Sequence, residues 1–547
     1  MQKLIIILIS SLILLSSLSK TLRFSFTSLH DGYVYPYWKT KESLQGTFYE
    51  DAVVVRSKTI TLGDGVGGSN GYSGFFSHYH CLKISEALQN LSSNSVSSFD
   101  VKQTVLKSIN DNNYKLSQMS SQIDAATTLV YLYLKDEMLY TGVSGDSGYS
   151  IFRFSESQNK LLLHYRSKEL VFEFNTPECI LPEGVTKLEN YSHNVQEGDV
   201  VLVASDGVLD VLPYSFLIAA TNHLVRKMVI AFNYGGKIDE NSYDLADLLE
   251  AYIQNLHKVS VKYANQLATD ARKELKSQYL AKEETEEPGF FKKLFGCFSS
   301  AKKIKDPIYY QQLEKIKNFE ESFSLTADET NSMMNDIYKN EICNNFFPFS
   351  YTTERIYEFL NKQCFENDNT SKATNHDETK SFECETLEEL TYPLIPSKDR
   401  PHNFKTCVLK AIPDLPRGTT VNKIMKSFNA RYFARNIGLA AKFMSKDTRV
   451  KIDDFYMKYI EHSKKTKKGK TPQQINAELL NEMTWMAKTD DISVAAAVLV
   501  DEDIFGSQVK TDKFEKINSL KSRKYAKSIW ESFRDLMNGN YSDKILI

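Results

Sequence analysis

The stretch Thr59–Gly74 reads TITLGDGVGGSNGYSG, and its pattern recurs through the rest of the chain. The β-branched run at its start favours a strand, which ends abruptly in Gly63-Asp64-Gly65. Glycines allow backbone carbonyls to approach an ion, and the carboxylate of Asp64 would supply the charge. Because Asp-Gly is among the commonest turn pairs, the stretch alone is also typical of a simple turn.

The segment just before this stretch predicts a partner strand. Ala52–Val55 form the core of TFYEDAVVVRS, and a turn through residues 56–58 would join them to the next strand as an antiparallel hairpin. Such a hairpin places Asp51 and Asp64 near the same end. Two carboxylates in that position repel each other unless a cation or a proton lies between them.

Further along, the period of the apolar residues changes from helical to extended. Helical spacing predicts helices over residues 75–91 and 97–120. The segments DAATTLVYLYL, DEMLYTGVSGDSGYSIFRF and KLLLHYR then alternate with a period of two, which predicts an antiparallel meander and hence an antiparallel sheet. A third exposed carboxylate, Asp146, is expected in the tight turn GDSG.

Two later strands carry acids at their ends in the same way. The apolar strand Val200–Ala204 runs into Ser205-Asp206-Gly207. In AKTDDISVAAAVLVDED the order is inverted, because Asp490 and Asp491 lie just before the strand Ile492–Val500. Five short stretches therefore bring carboxylates to strand ends, which is far less expected by chance than any one of them.

The region between these two strands has a different character. Tyr243–Lys282 has the periodicity of a long helix, and Glu366–Glu383 is polar with few apolar residues. We therefore predict an insertion that is mostly helical with loose connections. The basic and aromatic segment Phe290–Lys305 is typical of a helix or loop on the insertion surface, and the alternative is weak contact with a membrane surface.

Composition excludes some classes of function. The chain has 547 residues, with 42% hydrophobic and 25% charged, which is typical of a globular protein. Its net charge of −2 and the lack of paired Cys/His zinc ligands argue against nucleic acid as a partner. Its seven cysteines are scattered without a CxxC spacing, so they do not form a disulfide framework.

The N-terminus has the layout of a secretory signal peptide. A short basic start is followed by the apolar run Leu4–Leu15 and by Ser17-Leu18-Ser19, which has the form of a cleavage site. We therefore expect entry into the secretory pathway, or secretion. The alternatives are an uncleaved membrane anchor, since the apolar run is near the lower limit for a span, and a mitochondrial location.

The collected acids predict a particular kind of metal site. An all-oxygen ligand set without His or Cys favours Mg²⁺ or Mn²⁺ over zinc. Several carboxylates at one sheet edge can hold two such ions, which acidify water and stabilise an in-line displacement at phosphorus. The sequence shows no GxSxG and no P-loop lysine, which argues against a covalent route through those motifs.

In this order, the motifs YEDAVVV, GDGVGG, LYTGVSGDSGYSIFR, GDVVLVASDGVLD and KTDDISVAAAVL resemble the metal-dependent Ser/Thr protein phosphatases of the protein phosphatase 2C family. The pattern is most similar to the branch with DGVGG and GDSG, which includes the mitochondrial phosphatases of yeast and its relatives. The resemblance covers roughly residues 30–225 and 425–503. It implies an α+β fold of two packed antiparallel β-sheets flanked by helices, here with a large helical insertion.

The resemblance also implies roles for the acids. Catalysis would rest on Asp64, Asp206 and Asp490, and the metal ligands would be Asp51, Asp64, Gly65, Asp146, Asp206 and Asp490. Within this set Asp64 would bridge two ions, Gly65 would offer its carbonyl, and Asp51 would act through water. Asp146 resembles the acid of a third, weaker metal site. Glu50 and Asp491 would contact these ligands rather than the metal ions.

Two departures from the better-known members of the family leave the phosphate-binding residue unassigned. Val66 stands where those members have a His that is a proposed general acid, and Gln45-Gly46-Thr47 stands where they have an Arg that binds phosphate. The DGVGG branch shares both departures, so they do not predict an inactive enzyme. Lys39, Lys41 and the basic loop Lys464–Lys470 are candidates for phosphate binding, although a solvated surface charge is the simpler interpretation of each.

The sequence thus predicts a metal-dependent phosphatase in which activated water attacks phosphoserine or phosphothreonine of protein substrates in one step, without a phosphoenzyme. One alternative is a catalytically inactive phosphatase-like binding module, and another is a phosphatase for a small phosphorylated metabolite. The predicted organisation is a signal peptide (1–19), a first phosphatase part (20–225), an insertion (226–424), a second phosphatase part (425–503) and a charged tail (504–547).

Overall fold

The structure is a computed structural model that describes residues 22–25, 32–35, 50–66, 73–91, 96–118, 124–240, 242–286, 306–323, 413–447, 450, 454–482, 488 and 490–501. The predicted signal peptide, the segment Phe290–Lys305, the polar stretch Glu366–Glu383 and the charged tail lie outside these residues. The expectations placed on them therefore stay predictions. Among the described helices, none is both long enough and apolar enough to cross a membrane.

The described elements come in runs of strands and runs of helices along the chain. The strands are β1 (Leu22–Ser25), β2 (Gly32–Tyr35), β3 (Ala52–Arg56), β4 (Thr59–Gly63), β5 (Leu129–Lys135), β6 (Met138–Ser144), β7 (Gly148–Ser155), β8 (Lys160–Arg166), β9 (Val171–Glu173), β10 (Thr176–Pro177), β11 (Ile180–Leu181), β12 (Gly184–Val185), β13 (Glu189–Asn194), β14 (Val200–Ala204) and β15 (Ile492–Asp501). The helices are α1 (Ser73–Gln89), α2 (Ser98–Ser117), α3 (Asp206–Leu209), α4 (Tyr214–Asn233), α5 (Ala246–Glu286), α6 (Pro307–Phe323), α7 (Val421–Ser427), α8 (Ala430–Lys446), α9 (Asp454–Thr466) and α10 (Pro472–Glu482).

Eleven of the described strands form two antiparallel sheets that pack face to face, while β9 pairs with β10 and β11 pairs with β12 in two small sheets. One sheet has the order β1-β15-β14-β7-β8, with β2 also paired to β15, and the other has the order β13-β6-β5-β4-β3. In β14, Val201 and Val203 point into the core between the sheets, whereas Val200 and Leu202 point into a second core shared with the helices α4, α5, α7 and α8. Because β14 is buried on both faces, its sequence is a continuous run of apolar residues.

The second sheet is covered on its outer face by α1 and α2, whose apolar residues pack against β5 and β6. The start of α2 is fixed by a capping box, in which Ser97 and Asp100 each accept a hydrogen bond from the other's backbone N–H. The architecture is therefore helix, sheet, sheet, helix. It confirms the predicted α+β class with two antiparallel sheets flanked by helices.

The predicted meander is wrong in one respect, because its strands do not share a sheet. Strand β6 pairs with β5 in one sheet, and β7 pairs with β14 and β8 in the other. The turn GDSG therefore carries the chain from one sheet across to the other. Its φ of +112° at Gly145 is a backbone conformation that favours glycine. Alternation of apolar residues specifies a strand but not which sheet receives it.

The long helix predicted over Tyr243–Lys282 is confirmed as α5, and it serves two cores. Its first turns pack with the sheet and helices through Leu249, Ile253 and neighbouring apolar residues. Its later turns pack, through Leu267 and Leu275 among others, in a separate helical core with α6, α9 and α10. Helices from the predicted insertion and from the second phosphatase part thus bury one another's apolar faces.

Candidate metal centre

The Gly63-Asp64-Gly65 turn is locked in place by its neighbours. The backbone N–H of Asp64 donates to Thr128 Oγ1 at 3.0 Å, and its carbonyl accepts from the Thr128 N–H at 2.8 Å. Gly65 donates its N–H to the Glu50 carbonyl at 2.9 Å. A Cβ on Gly65 would lie 2.7 Å from that carbonyl oxygen, so the turn can approach Glu50 only because the residue is glycine.

The predicted hairpin brings Asp51 to the same end as Asp64. Strands β3 and β4 are antiparallel with Ala52 opposite Gly63, so the residues that flank this pair are neighbours. Asp51 has no exposed surface, and neither of its carboxylate oxygens has a hydrogen-bond partner among the described residues. Buried carboxylates are normally paired, so these two oxygens need a cation or a proton.

Asp206 and Asp490 approach each other at the edge of the other sheet. Asp206 begins the short helix α3 directly after β14, and Asp490 lies just before β15, with β14 and β15 antiparallel neighbours. A Cβ on Gly207 would lie 1.9 Å from the Asp491 carbonyl oxygen, which no side chain could tolerate. The glycine of the Ser-Asp-Gly motif therefore permits this contact between the two strand ends.

Asp146 completes the group because the GDSG turn crosses between the sheets at this edge. Carboxylate oxygens of Asp64, Asp146 and Asp206 lie within 4.8 Å of one another. One oxygen of Asp146 and one of Asp206 are buried without a hydrogen-bond partner in the described structure. Asp51 and Asp490 lie beside this trio, close enough for their charges to act on Asp64.

The crowding of these acids changes their protonation. Burial raises the pKa of Asp51 well above its ordinary range, and the charges of Asp491 and Asp490 raise it further. Burial, with the charges of Asp51 and Asp206, does the same to the pKa of Asp64. Burial and the charge of Asp206 raise the pKa of Asp490 to about 7. Several like charges share one low-dielectric space, and bound cations would relieve the repulsion.

The donor set fits divalent cations that prefer oxygen. Unpartnered carboxylate oxygens converge from both sheets, and His and Cys are absent from the carboxylate trio. Mg²⁺ and Mn²⁺ bind such sets, whereas zinc prefers nitrogen and sulfur. The structure therefore brings together Asp51, Asp64, Asp146, Asp206 and Asp490. The ligand role predicted for the Gly65 carbonyl stays a prediction.

The two residues predicted to support the ligands link the sheets through their backbones. The N–H of Glu50 donates to Asp491 Oδ2 at 3.2 Å, and the N–H of Asp491 donates to Asp490 Oδ1 at 2.9 Å. Asp491 therefore connects the start of β3 with the start of β15. Glu50 contributes here through its main chain, which a sequence motif does not reveal.

A lysine at this edge escaped the sequence interpretation. Lys488 Nζ lies 2.6 Å from Asp206 Oδ2, 2.7 Å from Asp210 Oδ2 and 3.4 Å from Asp490 Oδ2. Its position two residues before Asp490, in KTDD, was the available signal. The charges of Asp206 and Asp210 outweigh the effect of burial and raise the pKa of Lys488 well above its ordinary range.

The basic loop considered for phosphate binding has other partners. Its first residues belong to the last turn of α9, so the prediction of a loop there is wrong for residues 464–466. Lys467 pairs with Glu482 at 2.8 Å, and Lys470 pairs with Glu478 at 2.5 Å. These pairs join the segment that follows α9 to α10. Lys39 and Lys41 lie outside the described residues.

Curated proteins similar to this chain are named protein phosphatase PTC7 homolog fig. The relative from Drosophila mojavensis is 31% identical over 182 residues, which cover 30% of this chain and 53% of the relative. The relative from Drosophila melanogaster is 35% identical over 110 residues, covering 18% of this chain and 33% of the relative. The chain thus spans about half of the length of the first of these relatives and a third of the second.

Solved structures show a weaker likeness, and no family model matches the chain. The Mycobacterium tuberculosis serine/threonine phosphatase PstP/Ppp aligns at 17% identity and a TM-score of 0.29, over 36% of this chain and 85% of that one. The catalytic domain of PstP in complex with two manganese ions aligns at 16% identity and a TM-score of 0.30, over 37% and 86%. At such TM-scores these alignments carry no weight.

The curated matches confirm the predicted resemblance. In sequence the chain is similar to the protein phosphatases of the phosphatase 2C family. Its branch within that family stays a prediction.

Proposed function

We propose that this chain is a metal-dependent protein phosphatase that hydrolyses phosphoserine and phosphothreonine. The observation that carries the proposal is the convergence of Asp64, Asp146 and Asp206 within 4.8 Å, with buried oxygens that have no partner in the described structure. Names of the curated relatives support protein substrates over small metabolites. The activity itself and the substrates remain the proposal.

We assign to these residues the roles that the family resemblance implies. Asp64 is close enough to Asp51, Asp206 and Asp490 to be affected by their charges, which supports a role for it in contacting two cations. Asp206 and Asp490 would hold the second cation, and Asp146 would contribute to a third, weaker site. When bound, Mg²⁺ or Mn²⁺ would supply Lewis acidity and lower the pKa of a water. Asp51, whose two oxygens have no hydrogen-bond partner in the described structure, would accept a hydrogen bond from that water.

We further propose direct attack of water on phosphorus, with inversion and without a phosphoenzyme. Apart from Lys488, the side chains that we place at this edge are carboxylates, which can orient water and bind cations, and none of them belongs to a Ser-His or Cys-His pair of the described residues. The raised pKa values of Asp51 and Asp64 belong to the metal-free protein. Metal binding would therefore be accompanied by release of protons from these acids.

The test is hydrolysis of a phosphothreonine peptide by the full chain with Mn²⁺, with Mg²⁺ and with a chelator. Asp64→Asn and Asp206→Asn should each lower kcat/KM by more than about a hundredfold, a larger loss than groups outside the ligand set cause. Asp100→Asn is the matched control, since Asp100 caps α2 and has no contact with the acids. A folded wild-type chain without turnover in any metal would overturn the phosphatase and favour the inactive binding module.

A further inference from the structure

Lys488 places a positive charge on the carboxylates that are proposed to hold the second metal ion. Its ammonium lies 2.6 Å from Asp206 Oδ2 and 3.4 Å from Asp490 Oδ2. The lysine side chain is only 11% exposed, so this charge is largely shielded from solvent. An ammonium group in such a place neutralises part of the repulsion that these acids otherwise experience.

The neighbours of Lys488 hold it at this position. Its second carboxylate, Asp210 Oδ2, lies 2.7 Å away, and the ring of Phe455 lies 5.1 Å from Nζ in a cation–π arrangement. Phe455 is itself anchored, because its backbone N–H donates to the Asp210 carbonyl at 3.1 Å. The lysine is thus fixed by contacts that do not depend on Asp206.

A second lysine, Lys458, contacts the other oxygen of Asp210. Lys458 Nζ lies 3.1 Å from Asp210 Oδ1 and 2.7 Å from Glu169 Oε1. The charges of Lys488 and Lys458 together outweigh the effect of burial and hold the pKa of Asp210 at about 2. Asp210 therefore remains ionised as a holder for both lysines, and Lys458 provides a natural control for Lys488.

A metal ion at Asp206 and Asp490 would share these carboxylates with the ammonium, which contacts Oδ2 of each and leaves Asp206 Oδ1 without a partner in the described structure. The ammonium and a divalent cation would also repel each other at this separation. We propose that Lys488 is a positioning residue that acts as an internal competitor for the second metal ion, holding Asp206 and Asp490 in the metal-free protein and weakening metal binding there. The inference rests on the proposed metal site, and Asp210 would retain the lysine when the ion binds.

The test measures metal binding rather than turnover. Titration calorimetry with MnCl₂ on the full chain should show Lys488→Met binding about tenfold or more tightly than wild type, which corresponds to about 1.4 kcal/mol. Lys458→Met should change the affinity by less than about threefold, because it leaves the contacts of Asp206 intact. Lys488→Arg keeps the charge and should bind Mn²⁺ about as weakly as wild type. Unchanged or weaker binding by Lys488→Met would overturn the proposal.

The wild-type chain offers a second measurement that does not depend on a variant folding. Mn²⁺ should repel the ammonium from Asp206 and leave it with the contact to Asp210 alone, so reductive methylation of Lys488 followed by mass spectrometry should become faster with Mn²⁺, while that of Lys458 stays the same. No change at Lys488 would overturn the proposal. If Mn²⁺ binding responds to Lys488→Met but no phosphopeptide is hydrolysed, this inference holds and the proposed function fails.

Discussion

Asp51 and Asp199 are both completely buried, yet their surroundings are opposite. Asp199 precedes β14 and accepts hydrogen bonds from Arg153 Nε at 2.9 Å, from Arg153 Nη2 at 2.7 Å and from the Gln196 N–H at 3.0 Å. Asp51, at the other end of the sandwich, has the Ser493 hydroxyl nearby but no hydrogen-bond partner of normal geometry in the described structure, and its charged neighbours include Asp490 and Asp491.

The difference separates an acid with a structural role from one that is a candidate metal ligand. The fork of the Arg153 guanidinium satisfies both oxygens of Asp199, so that site is complete without any ligand. The oxygens of Asp51 are costly to leave unpaired, and neighbouring acids add to that cost. Burial alone does not distinguish the two aspartates. What distinguishes them is whether the protein itself supplies the counter-charge.

The largest effect should come from removing the charge of Asp199. Asp199→Asn breaks a buried, bidentate ion pair and should lower the free energy of unfolding by about 3 kcal/mol. Asp51→Asn in the presence of a chelator should cost nothing or be stabilising, because it removes a repulsive charge. Urea unfolding of both variants at pH 7.5 measures the contrast. Equal losses in the two variants would contradict the comparison.

The next effect is the response to metal, which only the Asp51 end should show. At a Mn²⁺ concentration one hundred times the dissociation constant, a site specific to the folded state adds about 2.7 kcal/mol to the free energy of unfolding. A chelator should remove this gain. Asp206→Asn should lose most of it, whereas Asp100→Asn should retain it, as thermal unfolding with and without Mn²⁺ would show. A full gain in Asp206→Asn would place the metal elsewhere.

A smaller effect concerns a buried base with incomplete hydrogen bonding. Burial lowers the pKa of His80 to about 3, against an ordinary value of about 6.5 in the unfolded chain. The stability from keeping His80 neutral is therefore complete above pH 6.5 and is lost as the pH falls toward 3, by about 1.4 kcal/mol per pH unit. The carboxylate of Asp490 acts with the opposite sign, since its pKa is raised to about 7.

The variant His80→Gln isolates this contribution. The difference in free energy of unfolding between wild type and His80→Gln should shift against wild type by about 1.4 kcal/mol between pH 7.5 and 5.5. The contribution of Asp490 is common to both proteins and cancels in the difference. A difference that does not change with pH would show that His80 titrates normally in the folded state.

Much of this fold and part of this site could be predicted because they depend on local sequence. The hairpin of β3 and β4 follows from two apolar runs separated by a short turn, and it suffices to bring Asp51 to Asp64. Likewise β14 and β15 are apolar runs with acids at one end, so Asp206 and Asp490 could be predicted as candidate metal ligands. The roles assigned to these acids remain predictions.

Other parts of the site depend on contacts distant in sequence. The sequence predicts that the GDSG turn links two strands of one sheet. Only the pairing of β7 with β14 shows that this turn crosses from one sheet to the other sheet. Lys488 is one lysine among many in the sequence. Its proposed role depends on its contacts with Asp206 and Asp210, which lie 282 and 278 residues away along the chain.

The sequence by itself determined which residues end each strand, since glycine and aspartate act on the backbone of their own turn. It thereby also supplied the all-oxygen ligand set and the resemblance to the phosphatase 2C family. Only the tertiary structure decided which carboxylates receive a counter-charge from the protein and which are left without one. Asp199 meets Arg153 and Asp51 meets other acids because the two sheets pack in one particular way, and electrostatic energy depends on distance in space rather than on position in the chain.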